Sequence, residues 1–177
     1  MEFSSMSLGY AYFYTATILN WQQLLQTDTY KEMVMDSLKY LVDKDKIKVY
    51  GFVIMPNHIH LLWEMLAMNG KEMPYASLLK YTGHRFLKEL RKNQPHLLPA
   101  FEVNTSTRTY NFWQRNSLPI VLYTDKVWRQ KLDYIHHNPV QEKWQLTDYP
   151  ENYRYSSAKF YMTGQDDFGI LTHWNDS

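Results

Sequence analysis

The sequence predicts an α+β chain built on a split βαβ pattern, an antiparallel sheet flanked by helices, with one further helix added on the C-terminal side. Three observations predict it. An aromatic and β-branched run opens the chain as a strand, two stretches of helical spacing follow at a distance, and between them Pro56-Asn57 separates two apolar runs as hairpin chemistry.

The elements follow in order. Tyr10 to Leu19 (YAYFYTATIL) reads as a strand because ring-bearing and branched side chains suit a pleated, half-buried surface. Thr29 with Glu32 forms a capping-box pattern, and Val34, Leu38, Leu41 and Val42 recur at helical spacing, so a helix is expected from about Tyr30 to Lys44. Lys46 to Met55 is a strand with an apolar end, Pro56-Asn57 is a turn, and His58 to Leu66 is the returning strand. Pro74 to Lys92 is the second long helix, with Leu78, Leu79, Thr82, Phe86 and Leu90 on its inner side; Gly83 within it costs about 1 kcal/mol against alanine. Gln94 to Ala100 is a proline-bearing connection, and Arg108 to Arg115 and Leu118 to Leu122 are strands or irregular extended segments. Thr124 can cap a third helix from Asp125 to about His137, which Pro139 ends because the residue before a proline is pushed out of the helical region. The order strand, helix, strand, strand, helix, strand, helix is that of the ferredoxin-like arrangement with an added helix. The stretch after Gly164 (GQDDFGILTHWNDS) reads as a polar extension without a core of its own.

Composition bounds the function. The 177 residues suit one domain, with its core in about 10–161 and a tail at 164–177. Hydrophobic residues make up 45% and aromatics 16%, enough for a packed core. The absence of cysteine excludes disulfides, zinc–thiolate sites and a thiol nucleophile. The first residues lack the basic and apolar regions of a signal peptide, and the longest apolar run, Gly51 to Met55, is too short to span a bilayer. A cytoplasmic protein without a membrane partner is expected. Net charge is only +1, so bulk charge gives no sign of a nucleic-acid partner.

Two groups of residues carry chemistry. In His58-Ile59-His60, residues two apart on a strand share a face, so the two imidazoles project together and Ile59 anchors the strand from the other side. Imidazole is a ligand for divalent transition metals and is compatible with manganese, but two ligands are not a site and a third must come from elsewhere. In the third helix Trp128, Leu132 and Ile135 mark the core side, whereas Lys131, Tyr134 and Asn138 lie on another face. Tyr134 and Asn138 are one turn apart. The Asn138 amide oxygen is a candidate to complete a metal shell with the histidines, which puts an ion beside the Tyr134 phenol. A phenol, with a pKa of about 10, is a poor nucleophile at neutral pH; an ion polarising a phosphate lowers the barrier to its attack. Lys131 is a candidate to bind phosphate or favour phenolate.

These groups, in this order, resemble the single-tyrosine HUH (His-hydrophobic-His) transposases. The matching segments are 51–62 (GFVIMPNHIHLL), 112–115 (FWQR) and 131–140 (KLDYIHHNPV), and 153–158 (YRYSSA) looks like the closing segment of the REP-associated tyrosine transposase branch. The resemblance runs from about Tyr10 to Tyr161. It implies a ferredoxin-like (RRM-like) sheet, and cleavage and rejoining of single-stranded DNA through a 5′-phosphotyrosine, dependent on a divalent ion, usually magnesium or manganese. It implies recognition of a DNA hairpin, and either a homodimer that exchanges the tyrosine helix or a monomer acting in cis. Carried over by residue, His58 and His60 are metal ligands, Tyr134 is the nucleophile and Asn138 is the third ligand, although asparagine is shorter than the glutamine of some relatives. A domesticated role is compatible with this branch.

Single-stranded DNA is held by cations interleaved with aromatics. The second helix, with Lys80, Arg85, Lys88, Arg91 and Lys92 and with His84, is the first candidate for phosphate contacts; Phe112, Trp113, Gln114 and Arg115 are the second. Two rival readings are a binding module of the same fold without catalysis, and a metal-dependent hydrolase using an activated water with Tyr134 structural.

Overall fold

The first strand pairs along its whole length with the third, not with its neighbour in sequence, and this one pairing sets the topology. In a computed structural model, which describes residues 6–115 and 118–176, the sheet runs β2-β3-β1-β4 and is antiparallel throughout. The first five residues, on which the signal-peptide reading partly rests, lie outside that description, as do 116–117 and 177. The strands are β1 (Ala11–Thr17), β2 (Ile47–Met55), β3 (His58–Met65) and β4 (Ile120–Val121); the main helices are α1 (Asp28–Asp43), α2 (Pro74–Asn93) and α3 (Asp125–His137), and a short α4 (Ala158–Thr163) follows. This order is the expected ferredoxin-like one: the β1–α1–β2 crossover leaves a gap that β3 fills by folding back from β2.

Alternation of side chains divides the core into two layers. Tyr12, Tyr14, Ile59, Leu61 and Trp63 face α1 and α2, where Leu38, Leu41, Leu78, Phe86 and Leu90 close over them. Phe13, Val53, Met55 and Leu62 face α3, meeting Trp128, Leu132 and Ile135. Helix α3 comes very close to the sheet at Gly51, where a side-chain carbon would stand 2.8 Å from Leu132 Cδ2 and 3.2 Å from Ile135 Cδ1. A hydrogen in that place lets the helix seat without displacing either side chain.

Four local features differ from the sequence expectation or settle it. Helix α1 begins at Asp28, and its N-cap Thr27 makes no side-chain cap bond. The capping box of Thr29 and Glu32 is therefore absent: Glu32 instead accepts hydrogen bonds from Tyr155 Oη at 2.7 Å and Arg154 at 3.2 Å. At α3, by contrast, Thr124 Oγ1 accepts from the Val127 amide at 3.3 Å, as its position predicts. Of the two extended segments before α3, only Ile120–Val121 is a strand; 108–115 is irregular, tied down by single bridges from Trp113 to Ile18 and from Tyr110 to Glu102. The tail is not a free extension. Leu171 bridges Val49, the Thr172 amide donates to the Val49 carbonyl at 2.9 Å, and Ile170 and Trp174 are buried, the indole stacked 5.8 Å from Trp128. Its two large apolar groups cover a flank of α3 and β2 that would otherwise meet water.

On α3, the half-buried His136 places its Nε2 2.8 Å from Ser157 Oγ, which itself accepts from the Phe52 amide at 3.0 Å. Burial lowers the His136 pKa from 6.5 to about 4, with the His137 charge adding to it. The unfolded chain takes up a proton near pH 6.5 and the folded chain only near pH 4. His136 therefore adds stability that is complete above about pH 6.5 and is lost as pH falls towards 4, up to about 3 kcal/mol. Urea midpoints should fall between pH 7 and pH 4.5, and the fall should be shallower in His136→Gln; equal slopes in the two proteins would assign the acid sensitivity elsewhere.

Candidate active site

The two-residue turn Pro56-Asn57 closes the β2–β3 hairpin with Met55 opposite His58, and this register puts His58 and His60 at the start of β3 on its α3 side. Their ring centroids are 4.7 Å apart. Opposite them on β1 stand Thr17 and Thr15. Ile59, on the other face, is fully buried, as the anchoring role requires.

Each imidazole has one nitrogen engaged. His58 Nδ1 lies 2.7 Å from Asn57 Oδ1, and the Asn57 amide nitrogen donates to the Trp21 carbonyl at 3.5 Å, so the asparagine presents its oxygen to the ring. His58 thus donates from Nδ1 and keeps Nε2 as a lone pair. His60 Nδ1 lies 2.7 Å from Thr15 Oγ1, and its Nε2 is buried with no hydrogen-bond partner among the described residues. Phe13 stacks on the His60 ring at 5.2 Å. Burial lowers the pKa of His58 to about 4, with Lys143 adding to it, and that of His60 to about 3, with His58 and Lys131 adding to it. Both rings are therefore neutral at physiological pH, the form in which imidazole binds metal. Hydrogen bonding of the far nitrogen is the usual second support of a metal-binding histidine.

Helix α3 delivers the phenol. The Tyr134 ring is 5.4 Å from His60 and 6.0 Å from Phe13, yet 45% of the residue remains exposed, so a large substrate can reach the hydroxyl. The Lys131 ammonium sits 4.6 Å over the Phe13 ring and 5.9 Å from the Tyr134 ring, which fixes a positive charge beside the phenol. Asn138 keeps helical backbone angles past the end of α3 and opens a 3-10 turn, Asn138–Val140, that contains Pro139. It is buried, and its Nδ2 has no hydrogen-bond partner among the described residues. Turning the amide over would present its oxygen at that position. No group of three or more His, Cys, Asp or Glu among the described residues could hold a metal ion. The donors that fit a divalent ion here are two imidazole nitrogens and an amide, all uncharged, so negative charge must come from substrate.

The structure therefore brings together His58, His60, Tyr134 and Lys131, with Asn138 one turn beyond. Asn57, Thr15 and Phe13, which orient or cover the histidines, were missed in the sequence. Asn57 adjoins His58 and could have been found as its orienting group; Thr15 could not, because its place opposite His60 depends on which strands pair. The basic candidates divide. Lys80 pairs with Glu72 and Arg85 with Asp36, both at 2.6 Å. Lys88, Arg91 and Lys92 line a surface depression with His84, and Arg115 stands on the segment beside α2. No helix among the described residues is long and apolar enough to cross a membrane.

No family model matches this chain. It is similar to a protein of Haemophilus influenzae named for the REP-associated tyrosine transposases, 26% identical over 136 residues that cover 75% of this chain and 72% of the relative. It is also similar to the REP-associated tyrosine transposase of Escherichia coli K12, 24% identical over 144 residues, covering 80% of this chain and 74% of the relative. A solved structure of a REP-associated tyrosine transposase bound to a REP hairpin shares the fold, with a TM-score of 0.62 at 19% identity over 95% of this chain and 89% of that one. Two relatives therefore carry the same description, and the fold of a solved structure so named is matched almost end to end.

Proposed function

We propose that this protein is a transposase that cleaves and rejoins single-stranded DNA beside a hairpin, with Tyr134 as nucleophile and His58, His60 and Asn138 as ligands of a magnesium or manganese ion. The observation that carries this reading is the phenol of Tyr134 beside His60, whose buried Nε2 has no other partner. The names of the relatives and the hairpin in the related structure support the same substrate class.

The phenol oxygen of Tyr134 attacks the scissile phosphorus as the phosphorus–O3′ bond breaks. One DNA end is left as a 5′-phosphotyrosine and the other as a free 3′-hydroxyl, with the phenolic proton given up and one proton taken by the leaving oxygen. Reversal with a different 3′-hydroxyl rejoins the strand without an energy source. Lys131 places a positive charge beside the phenol and offsets phosphate charge. Asn57 and Thr15 hold the two imidazoles in orientation. A bound divalent ion would supply polarisation of the scissile phosphate and stabilisation of its developing charge.

Incubation of end-labelled hairpin DNA with protein and Mn²⁺ tests the reading on a denaturing gel. A covalent adduct is expected, lost with EDTA and in His58→Ala/His60→Ala, whose circular dichroism stays native. Strand cleavage without any adduct would instead favour hydrolysis by an activated water, and an adduct that survives both chelation and the double substitution would remove the metal from the mechanism.

A further inference from the structure

Charge in this chain is segregated although its sum is only +1. An open cleft of about 920 Å³ runs between the outer side of α2 and the irregular segment 107–115. Lys80, Arg91, Arg108 and Arg115 line it, and Glu72 is the one acid among the described lining residues. The two basic stretches that the sequence offers separately are therefore the two walls of one groove. It continues along α2, through the shared His84, Leu87 and Arg91, into the depression that adds Lys88 and Lys92.

Three further features suit the groove to an unpaired strand. Tyr75 and Tyr110 line it half-buried, and the Arg91 guanidinium lies 5.9 Å from the Tyr110 ring centre, so flat faces alternate with cations. Bases in a duplex are already stacked on one another; only an unpaired strand can lay its bases on such faces. Gly83 stands on the helical wall, where an added side-chain carbon would meet nothing closer than Phe112 Cδ2 at 3.8 Å. Packing does not demand glycine there, and glycine weakens a helix interior, while its absent side chain leaves the groove open. Lastly, the groove adjoins the active site. The Gln114 amide donates to the Thr17 carbonyl at 2.8 Å, and Thr17 pairs with His58. Two interstrand spacings, about 10 Å, therefore separate the groove wall from the His58 backbone. The groove opens on the α2 side of the sheet and the histidines on the α3 side, so a strand leaving past Arg115 turns over the sheet edge to reach Tyr134.

We propose that the groove between α2 and residues 107–115 binds single-stranded DNA next to the cleaved phosphate, as a site distinct from the His58–His60–Tyr134 centre. This rests on the reading of the chain as a DNA-cleaving enzyme, and its test is independent of that chemistry. Fluorescence anisotropy of a labelled oligothymidylate of about 12 nucleotides is followed against salt, using full-length Tyr134→Phe protein in EDTA, where no cleavage occurs. Each phosphate contact to a single strand contributes about 0.7 to the slope of log affinity against log salt. Arg91→Gln/Arg115→Gln on this background should lower the slope by about 1.4 and weaken binding about tenfold or more at moderate salt. Lys39→Gln/Lys159→Gln, which removes the same charge from ion pairs with Asp43 and Asp167 outside the groove, should leave both unchanged. Gly83→Leu should raise the melting temperature and yet weaken binding, a combination that a purely structural glycine would not produce. Unchanged slope and affinity in the arginine variant, normal binding by Gly83→Leu, or tighter binding of a duplex of equal length would overturn the groove, whether or not the adduct test succeeds.

Discussion

Tyr134→Phe is expected to abolish formation of the protein–DNA adduct, lowering strand cleavage by about three orders of magnitude or more, and to leave hairpin binding and folding as they are. The substitution removes one oxygen. The ring keeps its contacts with Phe13 and His60, and the residue is 45% exposed, so little buried structure changes. Surface changes of this kind shift stability by about 0.5 kcal/mol or less. The chemistry, by contrast, has no substitute on the same face of α3: Lys131 and Asn138, which share that face, carry no hydroxyl. Loss of a covalent nucleophile typically removes most of the rate enhancement and leaves only binding and electrostatic contributions. Quantified denaturing gels over a range of enzyme concentrations provide the measurement. Adduct at wild-type level in Tyr134→Phe would transfer the nucleophile to another residue; loss of hairpin binding together with the adduct would mean that the hydroxyl serves recognition.

The second large effect is on stability. Gly51→Val should destabilise the protein by about 1–3 kcal/mol through overpacking, a drop in melting temperature of about 5 °C for a chain of this size. Valine is favoured over glycine in a strand, so local propensity acts in the opposite direction and the loss can only be steric. The clash is with Leu132 and Ile135, both buried, which leaves them little room to move aside. Relief comes by lifting α3 from β2. Because α3 carries Tyr134 towards His60, cleavage should fall more than stability alone explains, at a temperature where the variant is still fully folded. Calorimetry with single-turnover cleavage separates the two. Gly51→Ala should show a smaller version of both effects, and a valine variant as stable and active as the parent would refute the close seating of the helix.

Much of the candidate site was legible because its signals are local. The pair His58 and His60 shares a face by the two-residue period of a strand, and Tyr134 and Asn138 share one by the helical turn. Neither inference needs knowledge of the rest of the chain. Thr124 likewise announced the start of α3 by its own hydroxyl. Features that depended on distant partners were not legible. Glu32 looked like a cap but bonds Tyr155 and Arg154, more than 120 positions away. The tail after Gly164 looked polar because its few large apolar residues lack period, yet Ile170 and Trp174 find a hydrophobic flank on β2 and α3.

By itself, the sequence determined the α+β class, the order of the elements, and the two pairs of side chains proposed as a metal-assisted site. Spacing along a regular backbone dictates which groups point together, and hydrophobic period dictates which backbone is regular. Only the tertiary structure decided that Tyr134 lies beside His60. Pairing of β1 with β3 places Thr15 behind His60, the bare backbone at Gly51 lets α3 descend until Tyr134 lies beside that ring, and the fold of 107–115 against α2 turns two separate basic stretches into one groove. These are contacts between residues tens of positions apart, set by which surfaces pack against each other, and no local period encodes them.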